Sequence, residues 1–248
     1  MSTDPVALGL AALALGIGGV LKGATGAGTP VVAVPILAVI VDVPLAVSVM
    51  MVPNLLSNVV QAWQYRAKTL PGAFTWVFAG AGALGTIAGS VMLAGLPGEA
   101  LMLTVGLVVF VYIGFRLTRP GWRLAFALAR RLAFPVGLVA GILQGMSGIS
   151  APVSISFLNA LGLSRGQFIA TISVFFWVMT VTQVPALFAV GILTWHRMAL
   201  SCLALLPIFA GMPLGALLAR RLSARTFDRV MLALLGLIAV RLVWQALA

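Results

Sequence analysis

The hydrophobic pattern of this chain is a series of long apolar blocks separated by short polar or glycine-rich interruptions, with no sustained alternation of faces. Residues 5–22 form an apolar run of marginal spanning length. Residues 30–41 follow a glycine-rich interruption and, at about 1.5 Å per residue, are too short to cross a hydrocarbon core of about 30 Å. Pro44 to Tyr65 is a full-length block closed by Arg66 and Lys68. Phe74 to Leu96 and Ala100 to Leu117 are two more, joined by the tight Leu96-Pro97-Gly98-Glu99 turn. One long hydrophilic connection then carries Arg116, Arg119, Arg123, Arg130 and Arg131. The order replays after it: Phe134 to Leu143, a second interruption, the short Pro152 to Leu163, then Gln167 to Leu193, Met198 to Leu218 and Thr226 to Ala246.

The two interruptions are copies of each other. Gly19-Val20-Leu21-Lys22-Gly23-Ala24-Thr25-Gly26-Ala27-Gly28-Thr29-Pro30 becomes, on adding 122 to each number, Gly141-Ile142-Leu143-Gln144-Gly145-Met146-Ser147-Gly148-Ile149-Ser150-Ala151-Pro152. Gly19, Gly23, Gly26 and Pro30 recur unchanged. Lys22 becomes Gln144 and Thr25 becomes Ser147. The same offset carries Gln61 onto Gln183, while Gly85-x-x-x-Gly89 is answered by Gly211-x-x-x-Gly215 at an offset of 126. The chain therefore divides into a first repeat over residues 1–118, a basic linker over 119–131 and a second repeat over 132–248. A recurring break at matching points of two hydrophobic halves marks the binding region of a repeat-built transporter.

Composition fixes the class. With 62% hydrophobic and 8% charged residues, this is an all-α polytopic membrane protein, since no soluble domain could hide that much apolar surface. The net charge of +11 then reads as arginines gathered in loops on one side of the membrane. No basic run is long enough to follow a phosphate backbone, so nucleic acid is not a partner. The single cysteine, Cys202, allows no internal disulfide and leaves the redox compartment open. Asp4, rather than a basic stretch, precedes the first apolar run, which argues for a retained segment.

Charge also sets the topology. If each short pair (5–22 with 30–41, and 134–143 with 152–163) is a re-entrant hairpin, each repeat adds three full crossings and the repeats are inverted. Arg66, Lys68, the five arginines of the long loop, Arg165, Arg220, Arg221, Arg225 and Arg229 then share one side, against Arg197 and Arg241 opposite. Were each pair to cross once, the same residues would divide nine to five. The positive-inside rule selects the hairpins, with the long arginine loop cytoplasmic and both termini outside.

Several residues are candidates for chemistry. Non-helical backbone at membrane depth is tolerated where it lines a cavity or is buried in protein. Gly26 and Gly28 free backbone N–H groups, and Pro30 and Pro152 suit the first turn of a half-helix whose positive end can receive an anion. The competing role of such glycines is close helix packing. Lys22 is the only charge well inside an apolar block; either an anionic ligand supplies its countercharge or the ammonium snorkels to an interface. Gln61 and Gln183 can orient oxyanion groups or tie helices together. Asn54 and Asn58 share a helix face, with both roles open. Trp63, Trp76, Trp122, Trp195 and Trp244 read as interface anchors, Trp177 and the methionines as packing, and His196 as interfacial. No P-loop or dinucleotide fingerprint is present, because no strand precedes either break.

The two breaks, Gly23 to Pro30 and Gly145 to Pro152, resemble the signature of the sulfite exporter TauE/SafE family, and the resemblance extends over nearly the whole chain. Residues 28–29 and 150–151 depart from it, with Gly-Thr and Ser-Ala where the family often has consecutive glycines. The resemblance implies two duplicated halves that move sulfite, sulfonates or related anions across the bacterial inner membrane. The expected function is a secondary transporter for a small sulfur-containing anion, working by alternating access and most simply an exporter. Its substrate-binding residues would be Lys22, Gly23, Thr25, Gly26, Gly28, Gln61, Gln144, Gly145, Ser147, Gly148 and Gln183, with the breaks meeting at the bilayer midplane. Neither cofactor nor metal is called for. An anion channel is the alternative. An enzyme is the weakest reading, since no acid–base pair or nucleophile with a histidine lies within the bilayer. Apart from the anion and the lipid bilayer, the one partner left open is a second copy in a homodimer.

Overall fold

A computed structural model describes residues 5–25, 29–118, 122–221 and 224–247, and among these all regular structure is helical. The helices are α1 (Pro5–Thr25), α2 (Thr29–Ile40), α3 (Val43–Val49), α4 (Met51–Gln64), α5 (Phe74–Gly95), α6 (Gly98–Thr118), α7 (Phe126–Ser147), α8 (Ala151–Ala160), α9 (Arg165–Ala189), α10 (Trp195–Leu203), α11 (Leu205–Arg221) and α12 (Ala224–Leu247). Among the described residues six stretches are long and apolar enough to cross a membrane: Val43–Gln64, Phe74–Gly95, Gly98–Thr118, Phe126–Ser147, Arg165–Ala189 and Trp195–Gly215.

Three boundaries depart from the hydropathy pattern, each for a local reason. The block expected at Phe134–Leu143 is the end of α7, a helix of 22 residues. Arg130 and Arg131 end the apolar run without ending the helix, because both side chains are exposed. The block expected at Pro44–Tyr65 is two helices that meet at Met50. Pro53 has no N–H to offer the Val49 carbonyl. The hydroxyl of Ser201, on α10, repairs the gap by donating to Val49 O at 2.8 Å and accepting from Val52 N–H at 2.9 Å. In the same way the block expected at Met198–Leu218 is α10 and α11, meeting at Ala204 where Pro207 cannot bond Leu203.

The duplication extends to the helix caps. Asp42 caps α3, its Oδ1 accepting from Leu45 N–H at 2.6 Å. Ser164, 122 residues on, caps α9 in a capping box with Gln167.

The chain packs as two compact units, and these are not the two sequence halves. One comprises Met1–Pro53, Pro97–Ile113 and Trp195–Ala248; the other comprises Asn54–Leu96 and Gly114–Thr194. In the first unit the most extensive contact is between α1 and α11, with α2 packed on α1, α3 and α12. In the second, α5 packs most extensively on α7 and then on α9. Each unit thus takes a broken hairpin from one half and the long helix beneath it from the other.

The second unit has an aromatic core. Phe78 stacks on Phe175 with centroids 4.0 Å apart, and Phe157 of α8 lies 5.5 Å from Phe78 and 6.2 Å from Phe74. Its hairpin closes: Leu124 N–H, just before α7, donates to the Ala160 carbonyl at the end of α8 at 2.8 Å. Arg123 lies over Gly162, and Lys68 lies over Gly166. Basic residues of the Arg66–Lys68 turn and the long arginine loop therefore lie with Arg165 at the same end of this unit.

Candidate functional site

The break glycines first serve as packing surfaces. In the first unit, Gly19 and Gly23 of α1 lie against the Ile208 and Met212 carbonyls of α11, and Gly211 and Gly215 lie against those of Gly16 and Val20. In the second, Gly141 and Gly145 of α7 lie against the Gly82 and Thr86 carbonyls of α5, and Gly85 and Gly89 against those of Leu138 and Ile142. A Cβ at any of the eight would collide with backbone. This is the small-residue crossing of membrane helices, made twice with the same residues. Gly23 and Gly145 are therefore held by helix packing, whatever else they do.

Beyond that crossing, the second break is described in full. Gly148 ends α7 in the left-handed conformation (φ 70°, ψ 5°), which glycine alone adopts at no cost, and its N–H caps the Gln144 carbonyl at 2.8 Å. Ser147 is buried; its hydroxyl donates to the Leu143 carbonyl at 2.7 Å and accepts from Ile149 N–H at 3.4 Å. Next, α8 opens at Ser150 without a side-chain cap, with Pro152 in its first turn. The Ser150 carbonyl instead accepts from the Ser154 hydroxyl at 2.9 Å. Val153 and Ser154 N–H already bond the Ser150 carbonyl and Pro152 has no N–H, so the Ser150 and Ala151 N–H groups are the donors such a start leaves for a ligand.

Gln183 joins this break from α9. It is fully buried, and its Nε2 donates to the Gln144 carbonyl at 3.3 Å. Its Oε1 is one of four buried side-chain atoms without a hydrogen-bond partner among the described residues, the others being the hydroxyls of Thr29, Thr75 and Thr171. So Gln144, Ser147, Gly148 and Gln183 are brought together. Gln61 is not among them. Its Oε1 accepts from the Ser173 hydroxyl at 3.4 Å, and Ser173 is ten residues, about 15 Å, back along α9 from Gln183.

At the first break, Lys22 lies one turn before the end of α1 and is buried, only 5% exposed. Thr25 closes α1, and its side chain, like Gly26 and Gly28, lies outside the described residues. Thr29 begins α2, buried against Gly18, with its hydroxyl unpartnered. Sequence reasoning passed over Thr29 as a departure from a glycine pattern. The signal was there: it is a hydroxyl at the first residue of a half-helix. Asn58 turns inward on its own helix, its Nδ2 bonding the Asn54 carbonyl at 2.8 Å. Among the described residues no three His, Cys, Asp or Glu side chains gather to hold a metal.

Six apolar stretches of spanning length among the described residues, with buried polar groups at two duplicated breaks, define a multi-pass membrane protein. The family description "Sulfite exporter TauE/SafE" matches residues 10–242, and the chain belongs to that family. Membership implies membrane transport of sulfite or a related sulfur-containing anion. No curated protein and no solved structure matches the chain.

Proposed function

We propose that this protein is a secondary transporter that exports a small sulfur oxyanion or organosulfonate across the bacterial inner membrane by alternating access, and that the breaks of two inverted repeats recognise the anion. At the first break Lys22 supplies charge and Thr25, Gly26, Gly28 and Thr29 supply hydrogen-bond donors. At the second, the Gln144 side chain and the Ser150 and Ala151 N–H groups orient oxygens, Ser147 holds the turn through Leu143 and Ile149, and Gln183 sets its amide oxygen at the break. Gln61 ties its helix to α9 through Ser173, and Gly23 and Gly145 let each break approach its long helix. The observation that carries this reading is that, of the four buried side-chain polar atoms without a partner among the described residues, Thr29 Oγ1 lies at the first break and Gln183 Oε1 beside the second. Polar groups buried without partners are rare in folded proteins and point to a function.

Export follows from charge. Moving one negative charge outward across a potential negative inside gains about 2.3 kcal/mol per 100 mV, so efflux needs no coupled ion. Proteoliposomes loaded with sulfite and clamped with potassium and valinomycin test this. Efflux should rise with an interior-negative potential, and Lys22→Ala should abolish it while the protein remains folded. Efflux from the Lys22→Ala protein equal to wild type would remove Lys22 from the pathway, and indifference to the potential would remove the driving force.

A further inference from the structure

Gln183 carries a constraint that an anion site alone does not explain. Its amide is oriented by one contact, the Nε2–H bond to the Gln144 carbonyl at 3.3 Å. Turning the amide over would set two acceptor oxygens against each other, so Oε1 is fixed on the side away from that carbonyl. The same carbonyl receives the Gly148 N–H that ends α7, which puts the Gln183 amide at the break itself. Gln183 is fully buried, and Oε1 meets no donor among the described residues. Its repeat counterpart, Gln61, has its oxygen served by the Ser173 hydroxyl at 3.4 Å. The first copy of this glutamine is thus satisfied by the protein, and the second is not.

A buried acceptor is the wrong sign for a bare oxyanion, whose oxygens repel it, and it is costly to leave unmatched. We propose that Gln183 Oε1 is a specificity determinant that selects anions bearing a hydrogen-bond donor of their own. Two chemical types qualify: a hydrogen oxyanion, in which one oxygen keeps its proton, and a sulfonate carrying a hydroxyl or ammonium group. The ligand's charged oxygens take the N–H groups at the start of α8, and its donor takes Gln183. A fully deprotonated, donor-free anion gains only the first set of contacts. This rests on the proposed role of the breaks and narrows the substrate class.

Binding is measured on the purified full-length protein by thermal shift with two kinds of probe. The first pair is 2-hydroxyethanesulfonate and propane-1-sulfonate, which differ by a hydroxyl in place of a methyl group. A site built to pair with a donor penalises its absence strongly, so the hydroxyl compound should bind about tenfold or more tightly. The second probe is sulfite across a pH series, in which affinity should rise as hydrogensulfite replaces sulfite. In Gln183→Met, which keeps the side-chain volume and removes the acceptor, the sulfonate preference should fall to about twofold or less and the pH profile should flatten. Should that variant not fold, the wild-type comparisons decide alone. Equal affinity for the two sulfonates, a flat sulfite profile in wild type, or preferences unchanged in Gln183→Met would overturn the inference and leave the anion reading standing. Binding of none of the probes would overturn the anion reading itself.

Discussion

Replacing Gly145 by alanine separates the two roles that the break glycines were expected to share. A Cβ at Gly145 would lie 2.7 Å from Ser90 N and 2.8 Å from the Gly89 carbonyl carbon, and would strike the Thr86 carbonyl. All three are helix backbone, so no side-chain rotation relieves the contact. Helices α5 and α7 must part by roughly 0.5–1 Å, and a gap of that size forfeits a quarter to a half of the attraction between each facing atom pair. Summed over a crossing of a few tens of pairs at about 0.1–0.2 kcal/mol each, the loss is about 1–3 kcal/mol, the usual cost of overpacking. For a chain of this length that corresponds to a fall in Tm of roughly 2–12 °C, measured by thermal unfolding in detergent. Gly80, on the same helix α5, has nothing within 4 Å of an added Cβ. Gly80→Ala should therefore leave Tm unchanged or raise it slightly through helix propensity. Gly23→Ala should repeat the Gly145→Ala result against the Met212 carbonyl. Equal Tm values for Gly145→Ala and wild type, or an equal loss in Gly80→Ala, would refute the packing argument.

Two further outcomes follow from single hydrogen-bonding positions. Ser201→Ala strands a carbonyl at Val49 and an N–H at Val52, at a cost of about 2–4 kcal/mol for two partly buried groups; hydrogen exchange at the Val52 amide should accelerate in step with the loss of Tm, and an unchanged exchange rate would sink the account. Gly148→Ala forces a side chain into φ 70° and should cost about 1–2 kcal/mol, with Gly148→Asn costing less; equal thermal stability of the two variants would contradict it.

The repeat was legible because it is written in residue types, and the caps at Asp42 and Ser164 extend it to positions the glycine pattern does not reach. Hydropathy read the spans well where apolar blocks and helices coincide, as at Phe74–Gly95. It failed where they part company. At α7 the helix runs on through exposed arginines, and at Met50 a proline divides a block that stays apolar throughout. The candidate site was legible only in part, for a different reason. Glycine spacing announces close approach without naming the partner, and here the partner of each break comes from the other half of the sequence. Gln61 and Gln183 show the same limit. Identical in type and register, they differ in environment because Ser173 serves one and nothing among the described residues serves the oxygen of the other.

The interleaving of the two units has a consequence for how the chain is made. At about 5–20 residues per second, α1 leaves the ribosome some ten to forty seconds before α11, the helix whose carbonyls its glycines fit. The second unit has all its elements once Thr194 is made, whereas the first must keep α1 and α2 waiting for α10, α11 and α12. Until then the bare glycine face of α1 has no helix to meet, and the first hairpin is the part of the nascent protein most exposed to quality control. A chain cut after Thr194 would retain every element of one unit and orphan the other's oldest helices. In biogenesis, the last quarter of this protein acts as the assembly factor for its first.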